Sequence, residues 1–268
     1  MSQTLKFLES KINGKKAVND KSCYYKKDGI MIMINCGVGV LDAVKTSGVL
    51  KNVKQVYQIL THDSPDHIHD LKEFFAFAKG ETGNTPILID SISFDKDILK
   101  KRGIKPDIDC QILDPIKSGF NWINFLAVPH KDKSMSCPVE LFLNNKKILY
   151  AGECNNIPFN IQGYNEYYFD FADKESEYFL GPDGIKRLAK KNKIRKNRLW
   201  LVHFISERAL RMAQHAEMQV AKEELHKFDK VSLKTKNLTK KPQAKTNISK
   251  TKKETTQQSL QQNKDLNK

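Results

Sequence analysis

The chain has 268 residues, 39% of them hydrophobic, which is enough for the core of one large domain or two small ones, and its formal net charge of +15 points to anionic partners. No stretch approaches the roughly 20 apolar residues that span a bilayer, and the first residues lack the apolar segment of a signal peptide. Five scattered cysteines without a C-x-x-C pair argue against a disulfide framework. We therefore expect a soluble, cytoplasmic protein with reduced thiols and no membrane association.

The first part of the chain predicts a β-hairpin followed by a helix. Ser22 to Lys26 and the apolar run Ile30 to Ile34 form two strands, joined by a tight turn at residues 28–29. The second strand ends in the turn Asn35-Cys36-Gly37, and residues 41–47 fit a helix. The segment 5–12 before the hairpin fits either a short helix or a strand.

A strand-to-helix corner comes next, and it carries three side chains that can bind a metal. These are His62, Asp66 and His67. A buried strand is predicted for residues 56–60, and a helix is predicted to begin at Pro65, with Ser64 as N-cap, and to end just before Gly80. At about 100° per residue along this helix, His67 faces inward and His69 faces solvent.

The next elements repeat the pattern of an apolar strand followed by a polar residue. Further strands are predicted at 86–90, 122–128, 139–143, 147–151 and 199–202, and further helices at 94–102, 184–192 and 207–228. Three more candidate ligands directly follow strands, and these are His130, Glu153 and His203. The aromatic and acidic segment 160–179 fits neither a helix nor a strand pattern clearly.

From Asp229 the composition changes to lysine, glutamine, threonine and asparagine, with almost nothing to bury. Such a composition predicts a disordered tail over residues 229–268. From Lys230 to Lys268 the chain has eleven lysines against Glu254 and Asp265, which supply about +9 of the net charge. We expect the tail to bind anions, including nucleic acid, through salt-dependent phosphate contacts.

Taken together, these motifs resemble the metallo-β-lactamase-fold hydrolases over residues 1–228. The family pattern T-H-x-H-x-D-H is matched except that Ser64 stands at its second histidine, and the N-C-G turn is similar to the family's D-C-G turn. By the same resemblance His130 matches the third motif, Glu153 the bridging aspartate and His203 the final histidine. The stretch LVHFISER also resembles the H-F-S-x-R motif of the ribonuclease Z branch, with Ile205 inserted. The resemblance implies an α/β (α+β) four-layer αββα sandwich.

The resemblance also implies a metal site. One pocket keeps a full set of ligands: Asp66, His67, Glu153 and His203. The other keeps only His62 and His130 beside the shared Glu153, so we expect one firmly bound divalent ion, zinc or alternatively manganese, with a second one weak or absent. Asp66 and Glu153 are the predicted catalytic residues, and the nucleophile implied is metal-bound hydroxide.

Three functional hypotheses follow. The first is a metal-dependent hydrolase of phosphodiesters, with nucleic acid as a candidate substrate and lysine and arginine side chains docking the anion. The second changes the substrate to a small thioester, lactone or amide. The third is a non-catalytic binding relative with a degraded metal site, which the Ser64 and Glu153 replacements favour.

Overall fold

The computed structural model describes residues 3–8, 11–12, 15–16, 22–91, 96–129, 135–155, 157–176, 178–204 and 206–221. His130 and the predicted tail, with its boundary at 228–229, lie outside these residues. In the part of the chain that is described, no helix is long and apolar enough to cross a bilayer.

Six strands build the first sheet, in the order β1-β4-β5-β6-β7-β8. Their bounds are β1 Lys6–Phe7, β4 Cys23–Lys27, β5 Ile30–Ile34, β6 Gln55–Ile59, β7 Ile87–Ile89 and β8 Gln111–Leu113. The predicted hairpin is confirmed: β4 and β5 are antiparallel, and Asp28 and Gly29 between them have φ of 51° and 78°. Two left-handed residues in a two-residue loop match the twist of the flanking strands, and Asp-Gly accepts that conformation at low cost. From β5 to β8 the strands are parallel.

A second sheet has five strands in the order β15-β14-β13-β12-β9. Their bounds are β9 Ile123–Phe125, β12 Val139–Leu143, β13 Lys146–Gly152, β14 Glu166–Phe171 and β15 Leu199–Phe204. β9, β12 and β13 are antiparallel, whereas β13, β14 and β15 run parallel. Two further pairs of short strands are antiparallel: β2 Lys11–Ile12 with β3 Lys15–Lys16, and β10 Val128–Pro129 with β11 Met135–Ser136. The predicted strand 122–128 is therefore two short strands.

Helices cover the outer faces of both sheets. They are α1 Val40–Ser47, α2 Pro65–Ile68, α3 Leu71–Thr82, α4 Lys96–Lys101, α5 Pro182–Lys191 and α6 Glu207–His215, with a 3₁₀ turn at Lys196–Arg198. One core joins the first sheet to α1, α3 and α4, a second joins the other sheet to α5 and α6, and a third lies between the sheets. These three cores make four layers, α/β/β/α, and confirm the predicted sandwich. The helix predicted for 207–228 is too long, because it ends at His215 and Val220 then returns to pair with Leu201.

Candidate metal centre

The corner after β6 is bent more sharply than the sequence predicts. The single helix expected from Pro65 to Lys79 is wrong: α2 ends at Ile68 and α3 continues to Thr82, past Gly80. The break is explained by Asp70, whose N–H donates to the carbonyl of Cys36 at 3.1 Å while its carboxylate accepts from the N–H of Leu41 at 3.1 Å. The N–H of Asp70 thus bonds to the turn after β5 and not to a carbonyl of α2. Together the two bonds hold the corner against the end of β5.

Gly37 allows that turn to approach the corner. A Cβ atom on Gly37 would lie only 2.1 Å from the carbonyl oxygen of Asp66, so no other residue fits without displacing backbone. Next to this contact, the N–H of Cys36 donates to the carbonyl of His67 at 2.6 Å. The N-C-G turn is thus the support on which Asp66 and His67 are placed.

The side chain of His67 is held by a buried chain of hydrogen bonds. The hydroxyl of Thr61 donates to Oδ1 of Asn35 at 3.1 Å, and Nδ1 of His67 lies 3.2 Å from the same hydroxyl. Because the Thr61 proton is already given to Asn35, the hydroxyl accepts from Nδ1–H of His67, and Nε2 keeps its lone pair. That Nε2 atom is buried without a hydrogen-bond partner among the described residues, and the side chain is 2% exposed.

Two carboxylates lie beside this nitrogen. Nε2 of His67 is 3.9 Å from Oδ2 of Asp66 and 3.7 Å from Oε2 of Glu153, and one ligand atom from each of the three lies within 4.8 Å of the others. Glu153 comes from the second sheet, directly after β13. An imidazole lone pair facing two carboxylate oxygens is the donor set that zinc and similar divalent ions prefer. The residues present therefore fit a divalent metal.

Ser64 lies against Asp66, and His62 lies against His67. Ser64 stands at the N-cap position of α2 but makes no capping bond, because its hydroxyl donates to Oδ1 of Asp66 at 2.5 Å. The ring of His62 lies 5.5 Å from the ring of His67, and its Nδ1 accepts the N–H of Ser64 at 3.0 Å. His62 is outside the three-residue group.

His203 lies within β15, not after it, and its backbone is in the left-handed region at φ 43°. The register between β14 and β15 shifts beside it, between Asp170 and Phe171. Nδ1 of His203 is 2.8 Å from Oδ1 of the buried Asp170, which fixes the proton on Nδ1 and leaves Nε2 as an acceptor. Nε2 is buried with no hydrogen-bond partner among the described residues, yet His203 does not belong to the group around His67.

His69 lies on the solvent side of the corner. The side chain of His69 is 52% exposed and pairs with Asp70 at 2.7 Å, on the solvent side as the helical angle predicts. His130 falls outside the described residues. Three residues that orient the histidines are not among the predicted site residues: Asn35, Thr61 and Asp170. The first two belong to the motifs that flank the corner, and the third lies in the aromatic segment, whose sequence pattern is ambiguous.

No protein-family model matches the sequence, and no curated protein matches it significantly. Solved structures do match in fold. The metallo-β-lactamase-fold protein YhfI from Bacillus subtilis superposes with a TM-score of 0.61 at 15% identity, covering 82% of this chain and 96% of that one. A diphosphatase of the PhnP family gives 0.59 at 17% identity, covering 82% and 94%. The short form of human tRNase Z gives 0.57 at 14% identity, covering 82% and 97%. This chain has the metallo-β-lactamase fold.

Proposed function

We propose that this protein is a metal-dependent hydrolase of phosphodiesters. The observation that carries the proposal is the buried Nε2 of His67, which has no hydrogen-bond partner among the described residues and faces the carboxylates of Asp66 and Glu153. Burying a polar atom unsatisfied costs on the order of 1–3 kcal/mol. A bound cation would remove that cost and would neutralise the two carboxylates.

Asp66, His67 and Glu153 would hold the divalent ion. Thr61 and Asn35 keep the His67 lone pair directed at the cluster, and the Ser64 hydroxyl restrains one oxygen of Asp66 so that the other, Oδ2, faces His67. A divalent ion, zinc or manganese, would lower the pKa of a coordinated water toward neutrality and supply the nucleophile. Asp66 is the most exposed member of the cluster, with 42% of its side chain exposed against 13% for Glu153, so its carboxylate is placed to accept a proton from an incoming water.

The phosphodiester class is supported by two of the structural relatives, which are by name a diphosphatase and a tRNase. It is also supported by a basic surface around the end of α5, which we call the α5 surface. Its members are exposed and have no carboxylate within ion-pair distance in the described chain: Lys190, Lys191, Lys193 and Arg195. Neighbouring cations are already paired, as Arg187 is with Glu175 at 2.6 Å. Cations that lack such a partner attract a polyanion because each phosphate they neutralise releases counterions.

The metal test uses protein purified without chelator. We expect about one zinc or manganese per chain and metal-dependent cleavage of a generic phosphodiester. His67→Ala should abolish both, whereas His69→Ala, a neighbouring exposed histidine outside the cluster, should change neither. A preparation that binds no divalent ion, or a His67→Ala variant with full activity, would refute the proposal.

The proposed binding of a polyanionic substrate is tested separately. Changing the four residues of the α5 surface to glutamine should weaken nucleic-acid binding and reduce the slope of log K against log salt by about 0.7 to 0.9 for each phosphate that is no longer neutralised. An equal charge change at exposed lysines elsewhere is the control: Lys100, Lys101, Lys105 and Lys117. Deletion of residues 229–268 tests the tail in the same assay. If substrate binding does not change with salt, with substitution of the α5 surface or with deletion of the tail, a small thioester, lactone or amide is the better substrate class.

A non-catalytic binding protein is the second candidate. It is favoured by Ser64, which stands where the family pattern has a ligand histidine and whose hydroxyl donates to Asp66. Polyanion binding by protein that holds no metal and shows no turnover would support it. Stoichiometric metal together with turnover would eliminate it.

A further inference from the structure

The α5 surface and the cluster around His67 lie at opposite ends of the second sheet. β13, β14 and β15 are parallel, and Glu153 directly follows β13, so the cluster is at their carboxyl ends. α5 joins β14 to β15 on the outer face, and a helix between parallel neighbours runs back along the sheet. It therefore ends near the amino end of β15. Arg198, between α5 and β15, accordingly donates to the carbonyl of Tyr164, just before β14, at 3.2 Å.

The strand register gives the separation of the two places. Leu199, the first residue of β15, is aligned through Tyr167 of β14 with Leu149 of β13, and Glu153 comes four positions later. At about 3.3 Å per residue, with a bulge in β13, this is about 10–13 Å along the strands. The helix layer lies outside the sheet and adds to the separation. Successive phosphates of a duplex strand lie about 3.4 Å apart along the axis, so at least about three or four phosphates fit between the two places.

The four cations of the α5 surface lack a carboxylate partner among the described residues, although the cations on either side have one. Lys186, one turn earlier in α5, pairs with Asp183 at 3.5 Å, and Lys196, just after the surface, pairs with Glu217 at 3.8 Å. The charge between these two pairs is therefore uncompensated. Neighbouring unpaired cations suit a chain of phosphates, because each phosphate that they neutralise releases counterions.

Lys193 has a backbone conformation that glycine adopts more readily. α5 ends in a Schellman motif, in which the N–H of Ile194 donates to the carbonyl of Ala189 at 2.9 Å and the N–H of Lys193 donates to that of Lys190 at 3.3 Å. Lys193 is the left-handed residue of this motif, with φ 53°. Glycine would form the same turn with less strain, so the lysine side chain serves something other than the turn. A cation fixed on a rigid helix end is suited to bind an anion.

We infer that the α5 surface docks a nucleic-acid chain at a place remote from the bond that is cleaved, so that the substrate is a polymer spanning both ends of the second sheet. The inference rests on the proposed function, because it takes the substrate to be a phosphodiester. The phosphate at the metal centre does not reach the α5 surface. Its cations therefore strengthen the binding of a long chain and take no part in the reaction itself.

The first test measures binding to the full chain without metal. A fluorescent 20-nucleotide single strand should bind at least about tenfold more weakly at low salt when the four residues of the α5 surface are changed to glutamine. The control variant carries the same charge change at distant exposed lysines and should differ from wild type by no more than about twofold. These are Lys100, Lys101, Lys105 and Lys117. Equal affinities for the α5 variant and the control variant would overturn the inference.

Lys193 allows binding to be separated from stability. Lys193→Gly removes the cation and the strained side chain, so it should reduce the slope of log K against log salt by about 0.7 for the same single strand without lowering the melting temperature. Lys193→Gln removes the same charge but keeps the strain, and it should reduce the slope equally. A lower melting temperature for Lys193→Gly, or an unchanged slope, would show that this lysine serves the fold and not the docked chain.

The second test compares a small and a long substrate in metal-loaded protein. The small one is bis(4-nitrophenyl) phosphate, and the long one is the 20-nucleotide strand. The four-residue α5 variant should lose at least about ten times more kcat/KM for the strand than for the small diester, through KM and not kcat, because a remote contact stabilises the bound chain and the transition state equally. Equal losses for both substrates would place the α5 surface at the reaction centre and would overturn the inference, while the proposed hydrolase stands.

The two proposals fail in different ways. If neither zinc nor manganese supports cleavage of either substrate, the proposed function fails, and binding of the strand to metal-free protein still decides whether the α5 surface docks a chain. If the small diester is cleaved but the α5 variant binds the strand as tightly as wild type does, the hydrolase stands and the docking place does not.

Discussion

Substitution of Gly37 by alanine tests whether the turn after β5 positions the metal ligands. The added Cβ would stand 2.1 Å from the carbonyl oxygen of Asp66, whereas carbon and oxygen ordinarily approach to about 3.3–3.6 Å. One of the two backbones must therefore retreat by more than about 1 Å. The atom that is struck belongs to the peptide between Asp66 and His67, so both ligands move with it.

The size of the effect follows from that displacement. Overpacking a buried contact costs about 1–3 kcal/mol of stability, and a retreat also strains the bond from the N–H of Cys36 to the carbonyl of His67. Displacement of catalytic groups by about 1 Å can reduce activity about 100-fold. We expect Gly37→Ala to lower the urea midpoint and to weaken zinc binding at least about tenfold.

The control is the same substitution at Gly80. Gly80 is exposed within α3, and a Cβ there would meet nothing within 4 Å. Alanine at that position should stabilise the helix by about 1 kcal/mol and leave zinc binding unchanged. Equal urea midpoints and equal zinc affinities for Gly37→Ala and wild type would refute the argument that close approach of the turn positions the cluster.

Three further predictions concern orientation, charge and linkage. Thr61→Val removes the acceptor for Nδ1–H of His67 and should weaken zinc binding about 10–100-fold in a chelator competition assay, with the far-UV spectrum unchanged; unaltered affinity would count against it. Burial acts to raise the pKa of Glu166, but hydrogen bonds from Lys146, Tyr168 and Thr4 outweigh it and hold that pKa below its ordinary value. The stability from Glu166 is therefore present above about pH 4.3, the ordinary pKa of glutamate, and is lost as pH falls through the lower folded value. Glu166→Gln should lower the unfolding free energy at pH 7 and flatten its decline in acid, and an unchanged acid limb would contradict this. Zinc at about 100 times its dissociation constant should stabilise the protein by about 2.7 kcal/mol, measured by thermal unfolding, and His67→Ala should remove the shift.

The sequence predicts the elements whose local chemistry agrees with the fold. The hairpin at Asp28-Gly29 is such a case, because the turn residues and both flanking strands indicate the same structure. The apolar run Ile30 to Ile34 also has the bounds that the structure shows. The burial of His67 and the exposure of His69 follow from helical angle alone, since α2 still supplies one turn of helix at that point.

Elements fixed by distant contacts cannot be predicted in this way. The break between α2 and α3 depends on bonds from Asp70 to residues about 30 positions earlier, which no local pattern reveals. The strand β14 is not evident from the sequence because all six of its residues are buried, so it lacks the alternation of a half-exposed strand. Asp170 lies in that strand, and for the same reason the partner of His203 could not be predicted.

The N-terminal segment around Thr4 is hydrogen-bonded to a residue that the ribosome synthesises much later. The amide and hydroxyl of Thr4 both donate to Glu166, 162 positions further along the chain, at 2.9 and 2.7 Å. At a synthesis rate of about 5–20 residues per second, Glu166 follows Thr4 by roughly ten to thirty seconds. During that interval β1 lacks this anchor, so we expect β4, its partner in the sheet, to be less protected against pairing with other nascent chains. Ribosome-bound fragments that stop short of β14 should accordingly be the species most prone to self-association.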